Sequence, residues 1–163
     1  MKEQLLDLLP EEYADDFLSI GKTKSVAASA CFIRSGEVPH KFAFVAAGLF
    51  RYVYLNEKGD EFTKGIIGEN NFISSYSAMR LGTPSHFSIE ALEDAQLFEV
   101  SWTNFERLLD ANPFWVKFLL TFVEKGYMVK EKRERDLLLL DAEARYKNFL
   151  KEFPGLEQRV KQG

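Results

Sequence analysis

Apolar and polar positions change their spacing twice along the chain. Leu5, Leu6, Leu8 and Leu9 predict a short amphipathic helix stopped by Pro10, and Glu11 to Ile20 a second helix ended by Gly21. From Lys22 to Ser101 the pattern shortens into runs bounded by turn residues, the signature of an all-β sandwich or barrel. The runs are Ser25–Arg34, Phe42–Ala47, Leu49–Leu55, Glu61–Ile67, His86–Leu92 and Ala95–Ser101. Phe87, Ile89 and Ala91 alternate with Ser88 and Glu90, so one face of that run points inward. Lys58-Gly59-Asp60 predicts a hairpin tip, with glycine supplying a positive φ.

Helical spacing returns at Thr103, which with Glu106 forms a capping box ahead of Phe105, Leu108 and Leu109. Asn112 and Pro113 then open a helix with no breaker stronger than Gly126 until about Leu140. At 1.5 Å per residue this predicts a rod of roughly 28 residues and about 42 Å. Its first half, Phe114 to Val123, is apolar nearly all round, so it needs covering on two sides. Val116, Leu120, Val123 and Tyr127 follow the 4–3–4 spacing of a coiled coil, which predicts a homodimer interface there. Asp141 caps a further helix, Ala142 to Phe153, ended by Pro154-Gly155. Leu137 to Leu140, left uncovered, form an apolar patch of the kind that marks an interaction surface.

The expected fold is thus α+β but mainly β: an antiparallel double-stranded β-helix, a jelly-roll-like β-roll, with N-terminal helices and a long C-terminal dimerisation helix. Three segments are expected: 1–111 as the roll, 112–140 as the dimerisation helix, and 141–163 as a hinge with the first helix beyond it.

Composition narrows the function. Net charge is −4 and the basic residues are scattered or paired with acids, as in Lys130-Glu131-Lys132-Arg133-Glu134-Arg135. A nucleic-acid surface needs a basic face, so residues 1–163 alone are not expected to bind DNA. The longest uncharged apolar stretch, Phe118 to Val123, is far short of the roughly 20 residues that span a bilayer. One cysteine, Cys31, permits no internal disulfide. With no signal-peptide pattern at the N-terminus, a cytoplasmic protein without membrane partners is expected.

Enzymatic readings find little support. A cupin would share the small barrel but needs two or three clustered histidines, whereas only His40 and His86 exist, in unrelated contexts. Cys31 lies beside Phe32 and Ile33 and reads as a small core residue. No nucleophile elbow or phosphate-binding glycine loop is present. No enzyme activity, metal or cofactor is expected, and Ser74, Ser75 and Ser77 read as helix-capping residues.

The order of elements carries a resemblance, together with Gly68-Glu69-Asn70-Asn71-Phe72-Ile73-Ser74-Ser75-Tyr76-Ser77, Ser88 to Asp94, Asn112-Pro113 and Asp141 to Pro154. From about Ser25 onward the chain resembles the Crp/Fnr family of bacterial transcription regulators, whose sensor half has a cyclic-nucleotide-binding-type fold. The resemblance implies a homodimer, a small-molecule effector in the roll, and DNA contact through a winged helix-turn-helix that this chain is expected to lack. A stand-alone sensor or adaptor is the rival reading.

In members that bind cyclic AMP, a cassette opens with Phe-x-Gly-Glu and closes with Arg-Ser/Thr-Ala. Its carboxylate accepts from the ribose hydroxyl and its arginine neutralises the phosphate. Phe72 and Ile73 match the opening here, but Ser74 and Ser75 stand for Gly and Glu. Ser85, His86 and Phe87 stand for Arg, Ser/Thr and Ala. Lys130 and Glu131 fall where small hydroxyl residues would face the adenine. The resemblance therefore implies a candidate effector pocket of Phe72, Ile73, Ser74, Ser75, Tyr76, Ser77, Arg80, Ser85, His86, Phe87, Lys130 and Glu131, for an effector other than cyclic AMP. Arg80 and Lys64 are the cations in reach of rescuing an anion site.

Overall fold

The computed structural model describes residues 1–159; positions 160–163 of the expected last segment lie outside the described residues. The chain divides into two compact units, residues 1–108 and 109–163.

The first unit begins with α1 (Lys2–Leu6) and α2 (Glu11–Ser19). Eight strands follow: β1 (Gly21–Val26), β2 (Cys31–Ile33), β3 (Lys41–Ala47), β4 (Phe50–Leu55), β5 (Glu61–Ile67), β6 (Phe72–Ile73), β7 (Ser88–Ala91) and β8 (Ala95–Ser101). A short α3 (Tyr76–Leu81) lies between β6 and β7, and α4 (Trp102–Ala111) follows β8. The strands form two antiparallel four-stranded sheets, ordered β1-β8-β3-β6 and β2-β7-β4-β5. This is the predicted β-roll.

The core lies between the sheets. Val26, Ala43, Val45, Ile73, Ala95 and Leu97 from the first sheet meet Ile33, Phe50, Ile89 and Ala91 from the second. The first sheet is apolar on its other face as well, because α2 packs there. Phe17 lies 5.5 Å from Phe98, 6.1 Å from Phe72 and 6.4 Å from Phe42, measured between ring centroids. That second layer explains why Phe42 to Val45 is buried at every position rather than alternately.

Several local expectations shift. Gly21 begins β1 rather than ending a helix; a Cβ there would lie 2.5 Å from the Glu99 carbonyl oxygen and 2.6 Å from the Phe98 ring, so glycine is needed for close strand approach. The run Ser25–Arg34 splits into β1 and β2, in different sheets, around the turn at Ala27–Ala30. Phe72-Ile73, outside every strand run read from the sequence, pairs with Phe44 and Ala43. At α4 the capping hydroxyl is Ser101, which accepts from Asn104 N at 3.1 Å, rather than Thr103. The hairpin tip is as expected: Gly59 has φ +84°, and Asn56 Oδ1 accepts from the backbone of Lys58 and Asp60.

In each sheet a charge on an inner strand is neutralised from both neighbouring strands. On β4, Arg51 reaches Glu61 on β5 at 2.8 Å and Glu90 on β7 at 3.3 Å. On β8, the buried Glu99 lies 3.2 Å from Lys41 on β3 and 3.7 Å from both Lys22 and Lys24 on β1. Burial pushes the Glu99 carboxyl up, but the Lys41 hydrogen bond and the charges of Lys41, Lys24 and Lys22 outweigh it and hold it below the usual carboxylate range. A carboxyl lowered in the folded state stabilises above its unfolded value of about 4.3, and that stability is lost as pH falls through the lowered folded value. Glu99→Gln is therefore expected to cost about 1–3 kcal/mol at neutral pH. In urea melts the gap between variant and wild type should close as pH falls below 4. An unchanged gap at acid pH would assign the loss to packing.

The second unit is helical. Its main element, α5 (Pro113–Leu139), starts as predicted, with Asn112 Oδ1 accepting from Phe114 N at 2.9 Å and Pro113 in the first turn. It passes Gly126 unbroken. Leu140 then adopts an extended backbone, and Asp141 Oδ1 caps α6 (Ala142–Glu152) by accepting from Ala144 N at 2.8 Å. Lys132 on α5 pairs with Glu152 on α6, and Arg145 donates to the carbonyls of Leu137 and Leu140, so α6 folds back beside the end of α5. A final turn, α7 (Leu156–Arg159), was not expected from the sequence.

Candidate functional site

The candidate pocket is built where β6 gives way to α3 and where the chain returns toward β7. Phe72 and Ile73 belong to β6, which sets the next two residues against the roll interior. Ser75 precedes α3 in the capping position, and its carbonyl accepts from Met79 N at 2.9 Å. Its hydroxyl makes no cap. Instead Ser75 Oγ lies 2.7 Å from Ser85 Oγ, and both residues are buried. Ser85 Oγ is also 2.7 Å from the Phe87 carbonyl, to which it donates its only proton. The direction follows: Ser75 donates to Ser85, and Ser85 to the Phe87 carbonyl. Ser85 is further held by its backbone, whose N–H donates to Glu37 O while its own carbonyl accepts from Gly36 N, both at 2.8 Å.

The two positions that the resemblance sets against the opposite charges of a cyclic-AMP cassette are thus joined here by a neutral hydroxyl chain. Their mutual contact removes the desolvation cost that a lone buried hydroxyl would bring.

Phe87 forms the wall beside them. It stacks on Tyr52 at 5.1 Å and 25°, and Tyr54 lies 5.6 Å away. Tyr52 Oη accepts from the backbone N–H of Ser74 at 3.2 Å, tying β4 to the cassette. Lys64 Nζ lies 4.8 Å over the Phe87 ring and within 6 Å of both tyrosines. The Ser74 hydroxyl is buried without a hydrogen-bond partner among the described residues. The result is a cluster of hydroxyls beside an aromatic wall, with one ammonium over that wall.

Three other candidates of the first unit face solvent. Arg80 is exposed and turned onto aromatic rings: its guanidinium lies 4.7 Å over Trp102, and Nη1 donates to Tyr76 Oη at 3.1 Å. Ser77 and His86 are exposed. Lys130 and Glu131 are exposed on α5, in the second unit. The structure thus gathers Ser74, Ser75, Ser85 and Phe87 around Tyr52, Tyr54 and Lys64. The two tyrosines escaped the sequence reading; their i, i+2 spacing on one strand was the signal that would have placed them on one face.

Cys31 is half-buried, and burial, followed by the charge of Glu90, pushes its thiol up. That suits a packing residue better than a reactive one. No helix among the described residues is long and apolar enough to cross a membrane.

On α5 the four predicted interface residues are all solvent-facing in the single chain: Val116 is 53% exposed, Leu120 52%, Val123 37% and Tyr127 65%. Trp115 and Phe118, on another side of the helix, are buried. Leu137, Leu138 and Leu139 are also exposed.

Residues 23–112 match the family model for the cyclic nucleotide-binding domain. None of the curated proteins is a match by sequence. Among solved structures, the catabolite activator protein of Thermus thermophilus is similar with a TM-score of 0.68 and 21% identity. The match covers 83% of this chain and 62% of that one, so the chain spans less than two thirds of that regulator. A cyclic nucleotide-binding domain from Methylobacillus flagellatus gives 0.73 at 15% identity, over 85% of this chain and 82% of that one. The c-di-GMP responsive global regulator CLP of Xanthomonas campestris gives 0.71 at 16% identity, over 85% and 69%. At these identities the likeness is one of fold.

Proposed function

Because the chain belongs to the cyclic nucleotide-binding domain family, with 90 residues matched from 23 to 112, we propose that it is the sensor and dimerisation part of a Crp/Fnr-type transcription regulator. Its effector is a small molecule other than cyclic AMP, its partner is a second copy of itself, and it contacts DNA through a further domain. It is not an enzyme, and it works in the cytoplasm. The observation that carries this reading is the pairing, in one chain, of a β-roll with a 27-residue helix whose apolar stripe is uncovered. That the similar CLP protein is described as responsive to c-di-GMP supports a fold open to other effectors.

Mechanistically, an effector held beside Ser74, Ser75, Tyr52 and Lys64 would bind one of two conformers more tightly and shift their balance. The extended residue Leu140, between the caps of α5 and α6, is the natural place for that shift to be read out.

The test is a mobility shift on the gene's own upstream region. Residues 1–163 are expected to give no sequence-specific shift, since their net charge is −4. A polypeptide that carries these residues together with a helix-turn-helix is expected to bind, with affinity falling steeply as salt rises. Specific binding by residues 1–163 would overturn this division of labour. Failure of the longer polypeptide to bind would favour the stand-alone sensor.

A further inference from the structure

The corner where α5 ends and α6 begins is covered on its polar side and open on its apolar one. From Glu131 to Leu140 only Arg133, Asp136 and Leu140 are half-buried, and their 3–4 spacing puts them on one face. Two of those three are charged. Leu137, Leu138 and Leu139 stay 64%, 74% and 75% exposed. A corner held by packing would have the reverse arrangement, with its leucines inside.

Charged side chains join the two helices instead. The Lys132 ammonium on α5 pairs with the Glu152 carboxylate at the end of α6. Arg145, in the first turns of α6, donates through Nη1 to the carbonyl of Leu140 at 3.1 Å and to that of Leu137 at 3.5 Å. Those carbonyls close α5, where no further helical N–H reaches them and where the helix dipole favours a cation. So α6 is pinned near both of its ends. The Lys132 and Glu152 side chains are both partly exposed, and ion pairs near solvent are weak and screened by salt.

Resting on the reading of Leu140 as the point of readout, we propose that Lys132, Arg145 and Glu152 form a polar latch. It holds α6 folded back on α5, and its release lets α6 swing as an intact helix about Leu140.

The backbone suits such a swing. Leu140 is extended, with φ −110° and ψ 148°, and it separates two helices that are each closed independently. Its own N–H returns to the Asp136 carbonyl, which finishes α5. Asp141 Oδ1 caps α6 from within the α6 side of the corner. Turning about Leu140 therefore unwinds neither helix. The exposed leucines add little resistance, because they have little buried surface to lose. What opposes the swing is the latch, and contacts of this strength fall within what a bound effector can offset.

Spin labels on Lys125→Cys in α5 and Lys151→Cys in α6 report the swing; both positions are exposed and lie outside the latch. A Cys31→Ala chain removes the native thiol, and dilution with unlabelled protein restricts the reading to distances within one chain. Pulsed electron resonance is expected to show a dominant short distance and a minor long one. Arg145→Ala should lower the closed-to-open ratio about tenfold, as befits loss of a charge-assisted hydrogen bond. Glu152→Lys should lower it about fivefold. Salt at about 1 M, where the Debye length is about 3 Å, should shift the wild type the same way. The double variant Lys132→Glu, Glu152→Lys reverses the ion pair and should return the ratio to near the wild-type value. Alanine, lysine and glutamate are all good helix formers, so circular dichroism should show α6 intact. A single distance, unchanged by every variant and by salt, overturns the latch. Failure of the charge swap to restore the ratio overturns it equally. Neither effector nor DNA enters the measurement, so its failure leaves the regulator reading to the mobility-shift test, and failure there leaves the latch standing.

Discussion

Leu120→Glu is expected to turn a dimer into a monomer, raising the dissociation constant at least about a thousandfold. In the single chain Leu120 is half exposed in the middle of an apolar series from Val116 to Tyr127. Burying a leucine side chain is worth about 1.5–3 kcal/mol, and two-fold symmetry counts the loss twice. Replacing it by glutamate also sets two carboxylates against one another at the centre of the seam, where desolvation is most complete. About 4 kcal/mol corresponds to three powers of ten in affinity. Sedimentation velocity at micromolar concentration distinguishes the states. The variant's far-ultraviolet circular dichroism should match the wild type, since the residue buries little within its own chain. A wild type that sediments as a monomer under those conditions would remove the seam from the account.

What the sequence made legible follows the range of the interactions involved. The caps at Asn112 and Asp141 act across two or three residues, and both are found where the residue types placed them. The Lys58-Gly59-Asp60 tip is equally local, because Asn56 and Gly59 supply its hydrogen bonds and its positive φ. Longer-range features were not visible. Phe72-Ile73 is too short to show alternation, and only its pairing with Phe44 and Ala43 on β3 makes it a strand. Gly21 reads as a helix stop until β8 is brought against it. Thr103 with Glu106 satisfies a capping pattern, yet α4 starts earlier and Ser101 provides the hydroxyl.

The candidate site divides in the same way. The resemblance located the cassette, but nothing in the order of residues says that Ser75 and Ser85 bond to each other across ten positions. Nor does it say that Arg80 is drawn to Trp102, whose ring competes for the guanidinium that the sequence left open to a ligand. The identity of a missing charge was therefore readable, while the arrangement that compensates for it was not.

That arrangement sets the second large effect: cyclic AMP up to millimolar concentration is expected to give no saturable heat in calorimetry. Two ionic anchors are gone from the positions that carry them in cyclic-AMP-binding relatives, as the resemblance implies. Each charge-assisted hydrogen bond is worth about 1.5–3 kcal/mol, so their joint loss removes about two to four powers of ten in affinity. The remaining groups do not restore it. Ser75 and Ser85 spend their protons on each other and on the Phe87 carbonyl, so a phosphate would have to break a satisfied buried chain. Phe87 in place of alanine fills space with a ring stacked on Tyr52. Of the two cations in reach, Arg80 lies over Trp102 and Lys64 lies over Phe87. Recruiting Lys64 would cost its cation–π contacts, each worth about 0.5–2 kcal/mol. Micromolar binding of cyclic AMP by the wild type would show that Lys64 makes this exchange, and Lys64→Ala should then abolish it.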